Sequence, residues 1–115
     1  MIDLSRFDYS NVRNMSSMFR GCKNLKEIIF GNIKTSLVED MSHIFWYCSS
    51  LNSINLSNFD TSLVTNMEKM FTACLSLNTI NLSNLILPVL KICTGCLFNA
   101  QAYIPLMYQI LTSQK

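Results

Sequence analysis

The sequence predicts an α/β repeat solenoid in which each 26-residue unit supplies a short parallel strand, a turn and a short helix. A nonapeptide recurs at a fixed step, as NMSSMFRGC at 14–22, DMSHIFWYC at 40–48 and NMEKMFTAC at 66–74. Half of the residues are apolar, which is enough for a core. Repeat units that cannot bury their apolar faces alone stack on one another.

Three units follow one another without gaps, at 2–27, 28–53 and 54–79. Nine slots are apolar in each unit, and they are predicted to face a common core because their spacing recurs at one register. In the first unit these slots hold Ile2, Leu4, Phe7, Val12, Met15, Met18, Phe19, Cys22 and Leu25.

The nonapeptide predicts the helix. Met15, Met18, Phe19 and Cys22 stand at positions i, i+3, i+4 and i+7, which is the spacing of one face of a helix. The residue before this face is Asn14, or Asp40 and Asn66 in the later units, and its side-chain oxygen suits an N-cap. Two helical turns are therefore expected in each unit.

The segments after each nonapeptide predict the strand and the turn. LKEIIF, LNSINL and LNTINL have the L-x-x-L-x-L form of a leucine-rich repeat, and their last three residues alternate as a strand does. SNFDTS at 57–62 then predicts a turn in which Asn, Asp and Ser side chains bond to nearby backbone. The expected fold is leucine-rich-repeat-like.

The cysteines have a structural interpretation. The chain has five, an odd number that does not suit a closed disulfide framework. Cys22, Cys48 and Cys74 share one inward slot, where a thiol behaves as a small apolar group. A ladder spreads these thiols along the stack instead of gathering them around a metal, so no metal or cofactor is expected.

The segment INLSNFDTSLVTNMEKMFTACLSL at 54–77 resembles the 26-residue repeat of BspA-like bacterial surface proteins, a divergent leucine-rich-repeat family. The resemblance covers residues 2–84. The second unit departs from the pattern at Phe30, Gly31, Ile33, Lys34 and Ile44, so a different turn is expected there. The resemblance implies a secreted or cell-surface array, often an adhesin or lipoprotein, that binds proteins or matrix and is not an enzyme.

The sequence divides into residues 1–84, with three full units and the start of a fourth, and an apolar tail at 85–115. A back-translation of this tail, read one base earlier, yields the repeat motif FDTSSVKNMYWMF. We interpret the tail as a frame-shifted fourth unit, and a natural C-terminal cap is the alternative. On the frame-shift interpretation, the C-x-x-C spacing of CTGC at 93–96 is not a selected redox or zinc site.

Composition and motifs argue against several classes of function. The net charge of +2 lacks the clustered basic residues of a nucleic-acid-binding protein. The N-terminal residues MIDLSRFDYS lack the pattern of a signal peptide. The longest apolar stretch, at 85–98, is too short to span a membrane, so direct membrane insertion is not expected. No catalytic set or glycine-rich phosphate loop is apparent.

The leading hypothesis is a non-catalytic protein-interaction module, a piece of a bacterial surface or secreted protein that binds a protein or extracellular-matrix ligand. Two alternatives remain, an intracellular repeat scaffold and a truncated remnant without a function of its own. Trp46, on the predicted helix side, is a second candidate contact, although packing over a neighbouring unit explains it equally well. The outward strand positions, here called the strand face, are Asp3, Glu27, Ile29, Ser53, Asn55, Thr79 and Asn81.

Overall fold

The computed structural model describes residues 1–81, which form four short strands. These are β1 (Ile2–Asp3), β2 (Ile28–Ile29), β3 (Ser53–Asn55) and β4 (Thr79–Asn81). Strands β1 and β2 form one parallel sheet, and β3 and β4 form another. The pairing joins residues 26 positions apart, such as Ile2 with Ile28 and Ile54 with Ile80. The predicted frame-shifted unit at 85–115 and its C-x-x-C pair lie outside the described residues.

The predicted helix is wrong. Residues 1–81 contain no α-helix, and the nonapeptides consist mainly of turns. Each nonapeptide has two residues with left-handed backbone, which an α-helix of L-residues does not accommodate. The predicted solenoid of strand, turn and helix is therefore wrong as well. The left-handed residues stand at two slots 26 residues apart in successive units: Ser17, His43 and Lys69, and Gly21, Tyr47 and Ala73.

Backbone hydrogen bonds explain why turns replace the helix. The N–H groups of Met15 and Phe19 donate to the carbonyl oxygens of Asp40 and Ile44 in the next unit, both at 2.9 Å. Within the unit, Cys22 N–H donates to the carbonyl of Phe19, three residues back, at 3.1 Å. Alternate N–H groups are thus committed to a neighbouring unit and cannot form the i to i−4 bonds of a helix.

The polar residue that opens each nonapeptide accepts a backbone N–H group through its side chain, as predicted, but it does so in a turn and not at the start of a helix. Asn14 Oδ1 accepts the N–H of Ser16 at 2.8 Å, and Asp40 Oδ1 accepts the N–H of Ser42 at 2.8 Å. Asn66 makes the equivalent bond. These are Asx turns, because the donor lies two residues after the acceptor. Parallel bridges from Asn14 to Asp40 and from Asp40 to Asn66 align the three turns.

The core contains the predicted slots of the second and third units. Its centre is Phe45, whose ring stacks on Phe19 at 5.7 Å and on Phe71 at 5.5 Å, with Phe30 at its edge. The first unit is less covered, since Phe7 is 64% exposed whereas Phe59, at the same slot of the third unit, is 2% exposed. The inward prediction is therefore confirmed in the later units. In the first unit it fails at Phe7 and at Met18, which is 41% exposed.

The recurring cysteine is a hydrogen-bond donor as well as an apolar group. Cys48 and Cys74 are fully buried, and their thiols donate to the carbonyls of Phe19 and Phe45 at 3.0 and 3.1 Å. Cys22 is half-buried. Burial raises the pKa of the Cys48 thiol to about 11 and that of Cys74 to about 12. The predicted structural role of Cys48 and Cys74 is confirmed.

These raised pKa values predict that stability falls in alkaline solution. The thiols stay protonated longer in the folded chain than in the unfolded chain, whose thiols have an ordinary pKa of 9.0. Their contribution to the free energy of unfolding is complete below pH 9 and is lost as the pH rises towards 11 and 12. Urea denaturation at a series of pH values measures this decline.

The matched control for the pH series is the double variant Cys48→Ala/Cys74→Ala, which keeps every other titrating group. We expect the decline above pH 9 to be shallower in this variant. Equal declines in the two proteins would show that the thiols do not control alkaline stability.

Candidate functional site

The strand face is an exposed polar surface formed by side chains from successive units. Asp3 lies beside Ile29, Ser53 beside Thr79, and Asn55 beside Asn81 in the parallel pairs. All of the strand-face residues are exposed except Ile29, which is half-buried. In β3 and β4 the exposed residues flank one buried isoleucine, so the strands present polar side chains outward as the sequence predicts.

Four strand-face residues converge on one cleft between β2 and β3. The cleft has a volume of about 380 Å³ and separates the two sheets, because β2 and β3 do not pair. Glu27 and Ile29 line its β2 side, and Ser53 and Asn55 line its β3 side. Asp3, Thr79, Asn81 and Trp46 do not line it. The remaining lining residues are Ile28, Phe30, Gly31, Asn32, Ile54 and Asn58.

Hydrogen bonds between the two units close both ends of the cleft. At one end, Asn52 N–H donates to the carbonyl of Lys26 at 3.1 Å. At the other end, Asn58 Nδ2 donates to the carbonyl of Gly31 at 2.8 Å. The cleft is therefore a local opening between units that are joined on either side of it.

The second unit leaves its strand differently from the others. After β1 and β3, Asp3 and Asn55 accept the N–H groups of Ser5 and Ser57 in Asx turns, each at 2.9 Å. Ile29 occupies that slot in the second unit, and its side chain has no oxygen that could accept the N–H group two residues later.

Gly31 makes this different turn possible. Its φ is +62°, and a Cβ there would lie 2.7 Å from Ser5 Cβ. Only glycine avoids both this close contact and the cost of a left-handed backbone. The different turn expected for this unit is confirmed.

The charged groups of the strand face offer neither a proton donor at neutral pH, in the case of Asp3, nor a metal-binding cluster within residues 1–81. The hydroxyl of Ser5, followed by its N–H group, lowers the pKa of Asp3 below its usual 3.8. Asp3 therefore stays ionised at neutral pH and cannot act as a proton donor there. Within residues 1–81, no group of three or more His, Cys, Asp and Glu side chains could hold a metal ion.

Trp46 packs against neighbouring units instead of standing free. The Arg20 guanidinium of the first unit lies 4.3 Å from the centre of its ring, and Lys69 Nζ of the third unit lies 5.6 Å away. The rings of His43 and Tyr47 lie 5.0 and 5.2 Å from the indole. The structure thus supports the interpretation that Trp46 packs over neighbouring units. Trp46 is not among the residues that line the cleft.

Sequence reasoning missed Asn32 and Asn58 at the cleft. Both follow a strand and lie in the turn, where Asn is expected to bond to nearby backbone and not to line a site. The available signal was the change from INLSN at 54–58 to IIFGN at 28–32, because this altered turn lies beside the cleft.

Comparison with known protein families assigns the chain to one of them. The sequence profile of the family described as "Mycoplasma protein of unknown function, DUF285" matches residues 1–103. The chain belongs to this family. The family description gives no activity, and the finer resemblance to BspA-like repeats is not confirmed by the match. No curated protein and no solved structure matches the chain.

The DUF285 match spans all three units and both sheets, and it continues past the described residues into the tail. Among residues 1–81, the structure has no helix of the length and apolarity needed to cross a membrane. The strand face and its cleft lie within the residues that this family profile matches.

Proposed function

We propose that this chain is a non-catalytic protein-interaction module of a BspA-like surface or secreted protein. Its ligand is a protein or an extracellular-matrix component. The observation that carries the proposal is the strand face, where polar side chains from different units stand side by side in a fixed register.

The strand face suits recognition because its backbone is held while its side chains face solvent. Ser53 and Thr79 are paired neighbours whose side chains are both exposed. Parallel strands place such neighbours about 4.8 Å apart. Variable exposed residues on a rigid scaffold are the usual means by which repeat proteins bind partners.

An intracellular scaffold that uses the same face is the second candidate. The observation that favours it is the free state of Cys22, Cys48 and Cys74, since thiols persist more readily in a reducing compartment. Protease treatment of intact source cells distinguishes the two, because a surface protein is digested and an intracellular protein is protected.

Binding of the full chain to immobilised fibronectin, laminin and collagen tests the proposed function. The double variant Ser53→Arg/Thr79→Arg adds bulk and charge to the strand face and is expected to weaken binding by about tenfold or more. The control, Ser36→Arg/Ser62→Arg, makes the same change at two exposed turn residues that are also 26 positions apart. Equal losses in both variants, or no binding to any of the three proteins, would contradict the proposal.

A further inference from the structure

The first unit directs four backbone carbonyl groups away from the second unit. Alternate N–H groups of its nonapeptide donate to the second unit, namely those of Met15, Ser17, Phe19 and Gly21. In a trans peptide group the C=O bond points opposite to the N–H bond, and no peptide bond among residues 1–81 is cis. The carbonyls in the same peptide groups therefore point outward from the first unit. They belong to Asn14, Ser16, Met18 and Arg20.

These four carbonyls accept no backbone N–H from residues 1–81. The equivalent carbonyls of the next two units each accept a bond from the preceding unit. Asp40 accepts the N–H of Met15, and Asn66 accepts the N–H of Met41, both at 2.9 Å. The first unit thus has a row of open acceptors at the position where the later units are hydrogen-bonded.

Apolar side chains are exposed at the same unit. Phe7 is 64% exposed, whereas Phe59 at the same slot of the third unit is buried. Met18 is likewise exposed, whereas Met70 at its slot is fully buried. We call the four carbonyls and the side chains of Phe7 and Met18 the acceptor face. Its apolar groups are those that a stacked unit covers elsewhere in the chain.

Hydrogen-bond polarity restricts what can cover the acceptor face. The edge of a β-strand presents carbonyls as well as N–H groups, so its carbonyls would oppose the row. A second acceptor face would oppose acceptors with acceptors. Backbone that alternates between right-handed and left-handed residues directs successive N–H groups to one side, and the nonapeptides have left-handed residues such as Ser17 and Gly21.

We propose that the acceptor face docks a 26-residue unit of the same repeat that is carried by a second protein molecule. The docked unit donates alternate N–H groups to the row of carbonyls and covers Phe7 and Met18 with its apolar slots. This arrangement is the one by which the first unit bonds to the second, and the second to the third. The inference concerns a different surface from the strand face and does not rest on the proposed function.

A tethered unit that stands in for the second molecule tests the inference, because a tether raises its effective concentration. A copy of residues 28–53 is joined to the N-terminus of the full chain through about ten Gly and Ser residues, which span roughly 17 Å. Methyl nuclear magnetic resonance with a soluble gadolinium chelate reports the exposure of each methionine. We expect the broadening of the Met18 signal to fall to that of Met70, which is fully buried.

Hydrogen exchange of the tethered unit tests the row of donors. The copies of His43 and Phe45 are expected to gain protection, because both residues donate to the following unit within the chain. Docking through apolar contacts alone would leave these amides unprotected and would contradict the proposed hydrogen bonds.

Matched variants and a second tethered sequence provide the controls. Phe7→Glu places a charge on the acceptor face and is expected to abolish the protection of Met18. Leu63→Glu makes a similar change at an exposed leucine of the third unit and should leave that protection unchanged. A scrambled sequence of residues 28–53 on the same linker should give no protection.

Three results of the methyl experiment would overturn the inference. One is unchanged exposure of Met18 in the tethered protein. Another is equal protection by the scrambled sequence, which would indicate non-specific apolar contact. The third is an equal loss of protection in Phe7→Glu and Leu63→Glu, which would show that the unit does not dock at the acceptor face.

Discussion

Replacement of Phe45 by alanine is expected to lower the free energy of unfolding by about 3–5 kcal/mol. Phe45 is fully buried, and its ring stacks between Phe19 of the first unit and Phe71 of the third. Phe30 contacts its edge at 6.4 Å. Truncation would leave a cavity against all three units, and their backbone hydrogen bonds to one another restrict collapse around it.

Urea denaturation followed by tryptophan fluorescence measures this loss, with Phe7→Ala as the control. Phe7 is 64% exposed, so its truncation should change stability by about 0.5 kcal/mol or less. The loss for Phe19→Ala should lie between those for Phe45→Ala and Phe7→Ala. Within the described residues, Phe19 is at one end of the aromatic row of Phe19, Phe45 and Phe71, and it stacks only on Phe45. A cost for Phe45→Ala no greater than that for Phe7→Ala would show that the aromatic row is not the centre of the core.

The second large effect is expected at Thr35, which joins the second unit to the third. Its Oγ1 donates to the carbonyl of Asp60 at 2.9 Å and accepts the N–H of Asp60 at 2.8 Å. Thr35 is 1% exposed, so water cannot readily replace these bonds. Thr35→Val keeps the shape but leaves both backbone groups without this partner, at a cost of about 1–3 kcal/mol.

Thr61 is a matched control because it occupies the same slot in the next unit. Its Oγ1 is buried and has no hydrogen-bond partner in the described part of the chain. Thr61→Val therefore removes a buried polar group that bonds to nothing there, and it should leave stability unchanged or raise it slightly. The same denaturation assay compares the two variants, and equal costs would show that the bonds to Asp60 do not explain the effect.

The core slots could be predicted from the sequence, but the secondary structure around them could not. Met15 and Phe19 are buried as their spacing predicts. The same spacing serves a helix and a series of turns equally well, because both return the chain to one side every three or four residues. Left-handed backbone at Ser17 and Gly21 favours the turns, and of the two only the glycine has an obvious sequence preference for it.

The outward residues of the candidate site were also predictable, whereas the cleft was not. Alternation in the strands predicts that Ser53 and Asn55 face solvent, and both are exposed. Their approach to Glu27 and Ile29 across a gap involves residues of two units that are about 26 positions apart in the sequence. The IIFGN segment signals a different turn, but does not show that two sheets separate there.

The sequence by itself determined the register of 26 residues and most of the side chains that are buried, because apolar periodicity is a local property of the chain. Only the tertiary structure decided that the nonapeptide is not helical, that the strands divide into two sheets, and that a cleft lies between them. The first of these outcomes depends on hydrogen bonds between residues 25 positions apart, such as Met15 with Asp40. A neighbouring unit that accepts alternate N–H groups favours turns over the helix that the same spacing allows.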